Sequence, residues 1–170
     1  MIFKTKRMQV RQMKEEDREF FFQMMSNPAV MDPIPQPVFS REEADKKLDQ
    51  LLGKLEFGFL IWAICLKDSE EFIGLCGLIT NDEDQPELAY RFREKFWGNG
   101  LGTEITDGLI EYAFSELNLD LIAADVNTAN PRSAAILNKF MTPVREFWNE
   151  AEGCQDRRYV LRREEWESIR

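Results

Sequence analysis

The sequence contains no histidine. That absence removes Ser-His-Asp hydrolysis, histidine-liganded zinc and every mechanism resting on an imidazole base. A proton taken near neutral pH must therefore go to a carboxylate, a water chain or another tuned group. Cysteine is scarce: Cys65, Cys76 and Cys154 lie far apart, form no metal-ligand pattern and cannot all pair internally. This usage predicts a reduced, cytoplasmic protein without a metal. Long apolar runs are also missing. The longest, FLIWAICL at 59–66, is far shorter than a bilayer span of roughly 20 residues and suits a buried strand. The start, MIFKTKRMQV, has no apolar segment followed by a small-residue cleavage site, so no secretory signal and no membrane association are expected. Basic residues are outnumbered, 22 Lys and Arg against 31 Asp and Glu, for a net charge of −9. Such a surface repels a phosphate backbone, which argues against nucleic acid and favours a cationic small molecule or a basic protein.

What is present reads as globular protein. The 170 residues, 44% of them hydrophobic, suffice for one domain with a sizeable core. RMQVRQM (7–13) alternates as a first strand, and KEEDREFFFQMMSN continues as a helix with acids in its first turn. NPAVMDPIPQP (27–37) carries four prolines and is expected to be a loop, either a lid or a plain connector. SREE at Ser40 is a capping box, and the helix it opens places Ala44, Leu48, Leu51, Leu52 and Leu55 on one face. EFGFLIWAICLK and EFIGLCGLIT, joined by DSE, form an expected antiparallel hairpin. ELAYRF alternates as a fourth strand. A helix follows from about Gly100 to Asn118, then a fifth strand, LDLIAADVNT. ANPRSAAILNKF opens a short helix with Asn130 as cap and Pro131 at the first position. TPVREFWNE and RRYVLRR close the chain as antiparallel strands. The order β-α-α-β-β-β-α-β-α-β-β describes a mixed α/β chain of seven strands and four helices.

The segment EKFWGNGLGTEI (94–105) puts Gly98, Gly100 and Gly102 where a helix begins. It is no P-loop, because Gly102 rather than a lysine precedes Thr103. It is a poor dinucleotide fingerprint, because the glycine spacing is wrong and the preceding strand alternates instead of running apolar. Three glycines on alternate positions could make a flexible loop or a close helix–strand contact. They also leave free N–H groups converging with the helix dipole, which suits an anion.

ELAYRFREKFWGNGLGTEI together with IAADVNTANPRSAAILNKF resembles the GNAT superfamily of acetyl-CoA-dependent N-acetyltransferases, and within it the RimJ/RimL-type branch associated with N-terminal acetylation of ribosomal proteins. RMQVRQMKEEDREFFFQMMSNPAVM resembles that branch's opening strand and helix, and DRRYVLRREEW its closing strand. The resemblance thus implies a single acetyltransferase domain over residues 1–170. It implies a mostly antiparallel twisted sheet of about seven strands splayed between the fourth and fifth, with about four flanking helices. It also implies acetyl-CoA as donor, an amine acceptor such as a small molecule or a protein N-terminus, no metal, and a monomer or homodimer.

Residue by residue, the resemblance lays the pyrophosphate-binding motif on Trp97, Gly98, Asn99, Gly100, Leu101, Gly102 and Thr103, with Trp97 where the family has Gln or Arg. It implies that the strand around Tyr90 and Phe92 parts from its neighbour at a bulge and pairs with the pantetheine arm. An amide near Phe92 would polarise the thioester carbonyl. Asn130 would touch pantetheine and Ser133 would lie near the departing sulfur; by local chemistry Asn130 is equally a helix cap and Ser133 a solvated first-turn residue. Leu137 stands where many members have a tyrosine acid, and KFMTP (139–143) lacks the family's glycine.

Direct acetyl transfer needs a neutral amine and a stabilised carbonyl oxygen. Glu87 is the candidate base or amine-orienting group, although a strand-end glutamate is commonly just exposed. Glu150 and Glu152 are rivals. Glu104 is explained by the helix dipole alone. Phe20, Phe21, Phe22, Met24 and Met25 are expected in the core and in part of the acceptor wall. The missing tyrosine and histidine also admit a non-catalytic acyl-CoA-binding or sensing module.

Overall fold

The computed structural model describes residues 1–32, 36–53 and 60–170. Prolines 33 and 35 of the expected loop, Leu55 of the expected helical face and residues 56–59 of the expected hairpin lie outside the described residues. The strands are β1 (Phe3–Lys4), β2 (Met8–Arg11), β3 (Leu60–Leu66), β4 (Phe72–Thr80), β5 (Pro86–Phe92), β6 (Leu121–Asn127), β7 (Thr142–Asn149) and β8 (Cys154–Arg162). The helices are α1 (Arg18–Met25), α2 (Pro28–Met31), α3 (Arg41–Gly53), α4 (Leu101–Ser115), α5 (Pro131–Leu137) and α6 (Arg163–Ser168). Eight strands form one sheet in the order β1-β2-β3-β4-β5-β6-β8-β7. All neighbours are antiparallel except β5 and β6.

Alternation along the strands sends side chains to two separate cores. Trp62 and Ile64 of β3 join α4, α5 and the inner residues of β6 and β8 on one face. Ala63 and Cys65 join α1, α2 and α3 on the other. All three cysteines are free thiols. The Ser40 capping box forms as read: the Ser40 amide donates to Glu43 Oε2 at 2.7 Å, and the Glu43 amide donates to Ser40 Oγ at 3.1 Å.

Three local differences from the sequence reading have plain causes. The 27–37 segment is not all loop: Asn27 Oδ1 accepts from the Ala29 amide at 3.0 Å and caps α2, with Pro28 at the favoured first position. The last strand stops at Arg162, whose amide donates to Glu165 Oε2 at 2.8 Å and turns the chain into α6. An eighth strand arises because Phe3–Lys4 folds back on Val10 and Gln9. It is too short to show periodicity.

Candidate active site

β5 and β6 run parallel and share a single paired position, Glu87 with Ala123. Beyond it the strands part. The expected splay is present, but without a bulge in β5, which runs in unbroken register with β4 from Pro86 to Phe92. A cavity of about 720 Å³ fills the gap. Leu88 and Tyr90 line it from the α4/α5 side, while Glu87, Ala89 and Arg91 line it from the opposite side, as strand alternation requires. The cavity therefore borders both faces of β5, and its two sides, here called mouths, are built differently.

On the α4/α5 side the mouth is taken at the glycine turn, which does not itself line the cavity but abuts the lining residue Tyr90 through Gly102. Gly98 and Gly100 both have φ of +78°, the left-handed region that a residue with a β-carbon enters at a cost of roughly 1–2 kcal/mol. Gly100 is the α4 cap and no side chain caps the helix, so the first-turn amides are left with backbone alone before them. Gly102 is glycine for another reason: a β-carbon there would stand 2.9 Å from Ile136 Cδ1 and 3.6 Å from the Tyr90 ring. Both the close-contact and the free-amide readings of the glycines thus hold, at different positions.

Other residues assigned to this motif divide sharply. Leu101 is buried in the core, so only its amide faces outward chemistry. Trp97 folds back, its indole N–H donating to the Phe92 carbonyl at 3.0 Å; it pins the turn to the end of β5. The Phe92 side chain is itself core. Asn99 Nδ2 donates to the Trp97 carbonyl at 3.3 Å, and the Asn99 carbonyl accepts from Arg7 at 2.8 Å. Thr103 Oγ1 accepts from Lys139 Nζ at 3.5 Å, which brings a cation beside the turn. Neither Arg7 nor Lys139 stood out in the sequence. Glu104 does more than complement a dipole: it accepts from the Arg7 amide and guanidinium, each at 2.7 Å, and from Thr5 Oγ1 at 2.6 Å, tying the β1–β2 turn to α4.

Between the mouths sit Asn130, Ser133, Tyr90 and Leu137. Asn130 Oδ1 accepts from the Ser133 amide at 3.3 Å, and Asn130 Nδ2 donates to Ser133 Oγ at 3.2 Å. The cap therefore holds Ser133 as an acceptor and leaves its hydroxyl proton free to be donated elsewhere. Near Ser133 and Thr106 lies the buried Tyr90 hydroxyl, which has no well-formed hydrogen bond among the described residues. Burial pushes its pKa up.

The second mouth is a wall of charge. Arg158, with a side chain only 2% exposed, grips Asp125 in a fork, Nε to Oδ1 at 2.8 Å and NH2 to Oδ2 at 2.7 Å. It also donates to Asp82 at 2.5 Å and lies 3.1 Å from a Glu83 oxygen. These acids hold its pKa above the ordinary value despite burial. Glu87 faces this network from β5. Burial and, secondarily, the Asp125 carboxylate push its pKa up to about 8, against the opposing pull of Arg158. It is not the exposed strand-end acid that its position in the sequence allowed.

Glu152, in the β7–β8 turn, lines the same mouth with its pKa raised by burial and by Asp156. Glu150 also lines it but is exposed. Glu152, Cys154 and Asp156 bring ligand-type atoms within 4.8 Å of one another. The Asp156 oxygens there already accept from the Cys154 thiol and from Asn149 Nδ2, and burial pushes the thiol up to about 11, away from the thiolate a metal prefers. Of the expected acceptor wall, Phe21, Met24 and Met25 are core, and Met25 reaches the cavity only through its contact with Arg91.

Comparisons with known proteins bear on this arrangement. A family model described as the acetyltransferase (GNAT) domain matches residues 7–140. A Bacillus licheniformis protein named uncharacterized N-acetyltransferase p20 is 30% identical over 138 residues, covering 79% of this chain and 78% of its own. The structure superposes on a GNAT-family acetyltransferase from Bacillus anthracis with a TM-score of 0.84 at 22% identity, over 96% of this chain and 99% of the other. It superposes on spermidine N-acetyltransferase from Vibrio cholerae, solved with CoA and spermine, with a TM-score of 0.78 at 16% identity, over 95% and 98% of the two chains. At those identities the structural likeness speaks for the fold. Among the described residues no helix is long and apolar enough to cross a membrane.

Proposed function

The chain belongs to the GNAT acetyltransferase family, and from that premise we propose that it moves an acetyl group from acetyl-CoA to a primary amine by direct attack. One observation carries the proposal: the sheet opens where β5 and β6 part, with bare helix-terminal amides next to Tyr90 on one side of the gap and a carboxylate of raised pKa on the other. Residues 1–170 would act as a single acetyltransferase domain. The donor's diphosphate fits the first mouth because the α4 amides have no competing cap and the glycines put no side chain in the way.

In this reading the amides from Gly98 to Thr103 hold the pyrophosphate, with Lys139 alongside, and Trp97, Asn99 and Leu101 shape the turn. Backbone amides of β5 past Glu87, around Tyr90 and Phe92, face no ladder partner in β6 and can donate to the thioester oxygen as charge develops on it. Glu87 takes the proton of the incoming ammonium. A pKa of about 8 lies close to that of an α-amine, which is the match that lets a base work near neutrality. Ser133 donates its free proton to the departing sulfur, oriented by Asn130. Tyr90 stands beside it where Leu137 offers no hydroxyl.

The motifs FWGNGLGTE and NPRS support placing the chain in the RimJ/RimL-type branch, in a cytoplasmic setting, with a protein N-terminal α-amine as one form of acceptor. The Vibrio cholerae neighbour makes a polyamine another form to test. Thiol release from acetyl-CoA is measured against a panel of peptides, polyamines, amino acids and aminoglycosides. Acetyl-CoA-dependent release with at least one amine is expected. Tight binding of acetyl-CoA with silence across the panel would overturn the proposal in favour of an acyl-CoA sensor. Gly100→Val should weaken acetyl-CoA binding at least hundredfold by calorimetry; unchanged affinity would remove the amide cradle.

A further inference from the structure

Arg91 is the side chain at the second mouth that neither the fold nor the proposed chemistry uses. It lies on the same face of β5 as Glu87, four residues on, or about 13 Å along the strand. Its guanidinium lines the cavity with Gln36, Leu75 and Glu152. Its contacts are poor for a cation. NH1 points at two thioether sulfurs, Met25 Sδ and Met31 Sδ, each at 3.3 Å, and NH2 reaches Gln36 Oε1 only at 3.5 Å. Nε is buried with no hydrogen-bond partner. Among the described residues no carboxylate lies within ion-pairing distance of it, in contrast to Arg158, Arg93, Arg11 and Arg18, each of which has at least one.

A half-buried guanidinium without a counter-ion among the described residues is costly, and a planar fork with open donors matches a carboxylate. Burial also holds the Arg91 pKa below its ordinary value, which an incoming anion would reverse. Glu152 is the carboxylate whose field reaches Arg91, but it makes no ion pair with it. The thioethers give the fork soft, displaceable neighbours.

Resting on the acetyltransferase reading above, we propose that Arg91 is a specificity residue that binds a carboxylate of the acceptor. The substrate class is then a small molecule carrying a primary amine and a carboxylate several bonds apart, an ω-amino acid or a diamino acid acetylated on its side-chain amine. Its ammonium group lies toward Glu87 and Asp125, and its carboxylate enters the fork between Gln36 and Glu152. The acidic wall alone would favour any cation. The unpaired arginine at its far end is what would reject a simple polyamine, by leaving a half-buried charge unanswered.

The test uses matched acceptors, each amino acid beside the amine that lacks its carboxylate, with lysine and cadaverine as one pair and ε-aminocaproate and pentylamine as another. For at least one pair kcat/KM should favour the carboxylate-bearing member tenfold or more, through KM. Arg91→Met should bring that ratio to about one, and Arg91→Lys should retain part of it; thermal melts establish that both variants fold. A ratio near one in the natural protein, or a preference that survives Arg91→Met, overturns the assignment.

A second arm does not depend on turnover. With CoA present, amino acids acetylated on the ω-amine should bind the natural protein by calorimetry and bind Arg91→Met at least tenfold more weakly. Equal binding to both also overturns it. Acetylation of carboxylate-free amines alone would defeat this proposal and leave the acetyltransferase reading standing. Silence toward every amine would defeat that reading, with the calorimetry still deciding Arg91.

Discussion

The two sides of the gap between β5 and β6 are built on opposite principles. The mouth at α4 is mostly backbone: two left-handed glycines, an uncapped helix start, and side chains such as Trp97 and Asn99 that turn inward to hold the loop. The mouth opposite is mostly side chain, assembled from β5, β6, β8 and the loop before β5, with Arg158 and Asp82 meeting across 76 residues of sequence. A backbone site suits a ligand part that never varies, because it tolerates little change in its residues and offers little to change. A side-chain site can be re-specified one residue at a time. The contrast fits a donor common to a family and an acceptor peculiar to each member.

The sharpest way to break that contrast is Arg158→Met. Removing the guanidinium leaves the Asp125 carboxylate largely buried, with its fork partner gone, and should cost about 3–5 kcal/mol of stability by denaturant unfolding. In the fraction that remains folded, acetyl-CoA affinity should be unchanged. A stability loss below about 1 kcal/mol would mean that water rescues the acid and that the wall is not a closed network.

Glu87→Gln comes next. It should lower kcat by about 10² at pH 8, the smaller end of general base effects. The pH dependence gives a separate check. Between the ordinary glutamate value of 4.5 and about 8, the folded protein holds a proton on Glu87 that the unfolded chain has lost. The natural protein should therefore lose stability as pH rises through this window, and Glu87→Gln should not. The rate should rise through about pH 8 with a limb that stays in place when acceptors of different amine pKa are compared. A limb that follows the amine pKa would remove Glu87 as base.

At the donor mouth Gly98→Ala is a milder probe. Nothing stands within 4 Å of the added methyl, so the expected cost of about 1 kcal/mol is the left-handed backbone alone. Acetyl-CoA affinity should fall by only a few-fold in titration calorimetry. A loss comparable to that from Gly100→Val would show that both turns contribute amides to the ligand. The smallest stability effect belongs to Tyr90→Phe. Its hydroxyl is buried without a well-formed hydrogen bond, so the melt should shift by less than about 0.5 kcal/mol or become slightly more stable. A fall in kcat beyond tenfold with that unchanged stability would make Tyr90, rather than Ser133, the donor to sulfur.

Legibility in the sequence follows the same division. The α5 cap was readable because Asn130 and Ser133 are three residues apart and their bond closes within one turn. The Ser40 capping box was readable for the same reason. The glycine turn was readable as a helix start with bare amides, although the separate duty of Gly102, room for Ile136 and Tyr90, depends on two elements that the local pattern does not contain. The antiparallel hairpin of β3 and β4 followed from two apolar runs joined by a short polar turn, and β7 and β8 were read as closing antiparallel strands. The four-residue helix α2 and the two-residue strand β1 did not, because neither completes enough of a period to register.

Arg91 and Arg158 show where reading along the chain stops. Each sits in a segment read only as a strand, and neither was singled out. Whether a charge is solvated depends on what covers it. Arg158 is covered by acids from two other parts of the chain, and Arg91 by the sulfurs of α1 and α2. By itself the sequence determined the features whose interactions close within a few residues: the order of elements, the helix caps, the left-handed turn and the bare amides beyond it. Only the tertiary structure decided that β5 and β6 part after one pair, that Glu87 faces a largely buried acid, and that one arginine in the gap has no counter-ion among the described residues. Those properties depend on distance and dielectric across the fold, and neither is carried by any short stretch of residues.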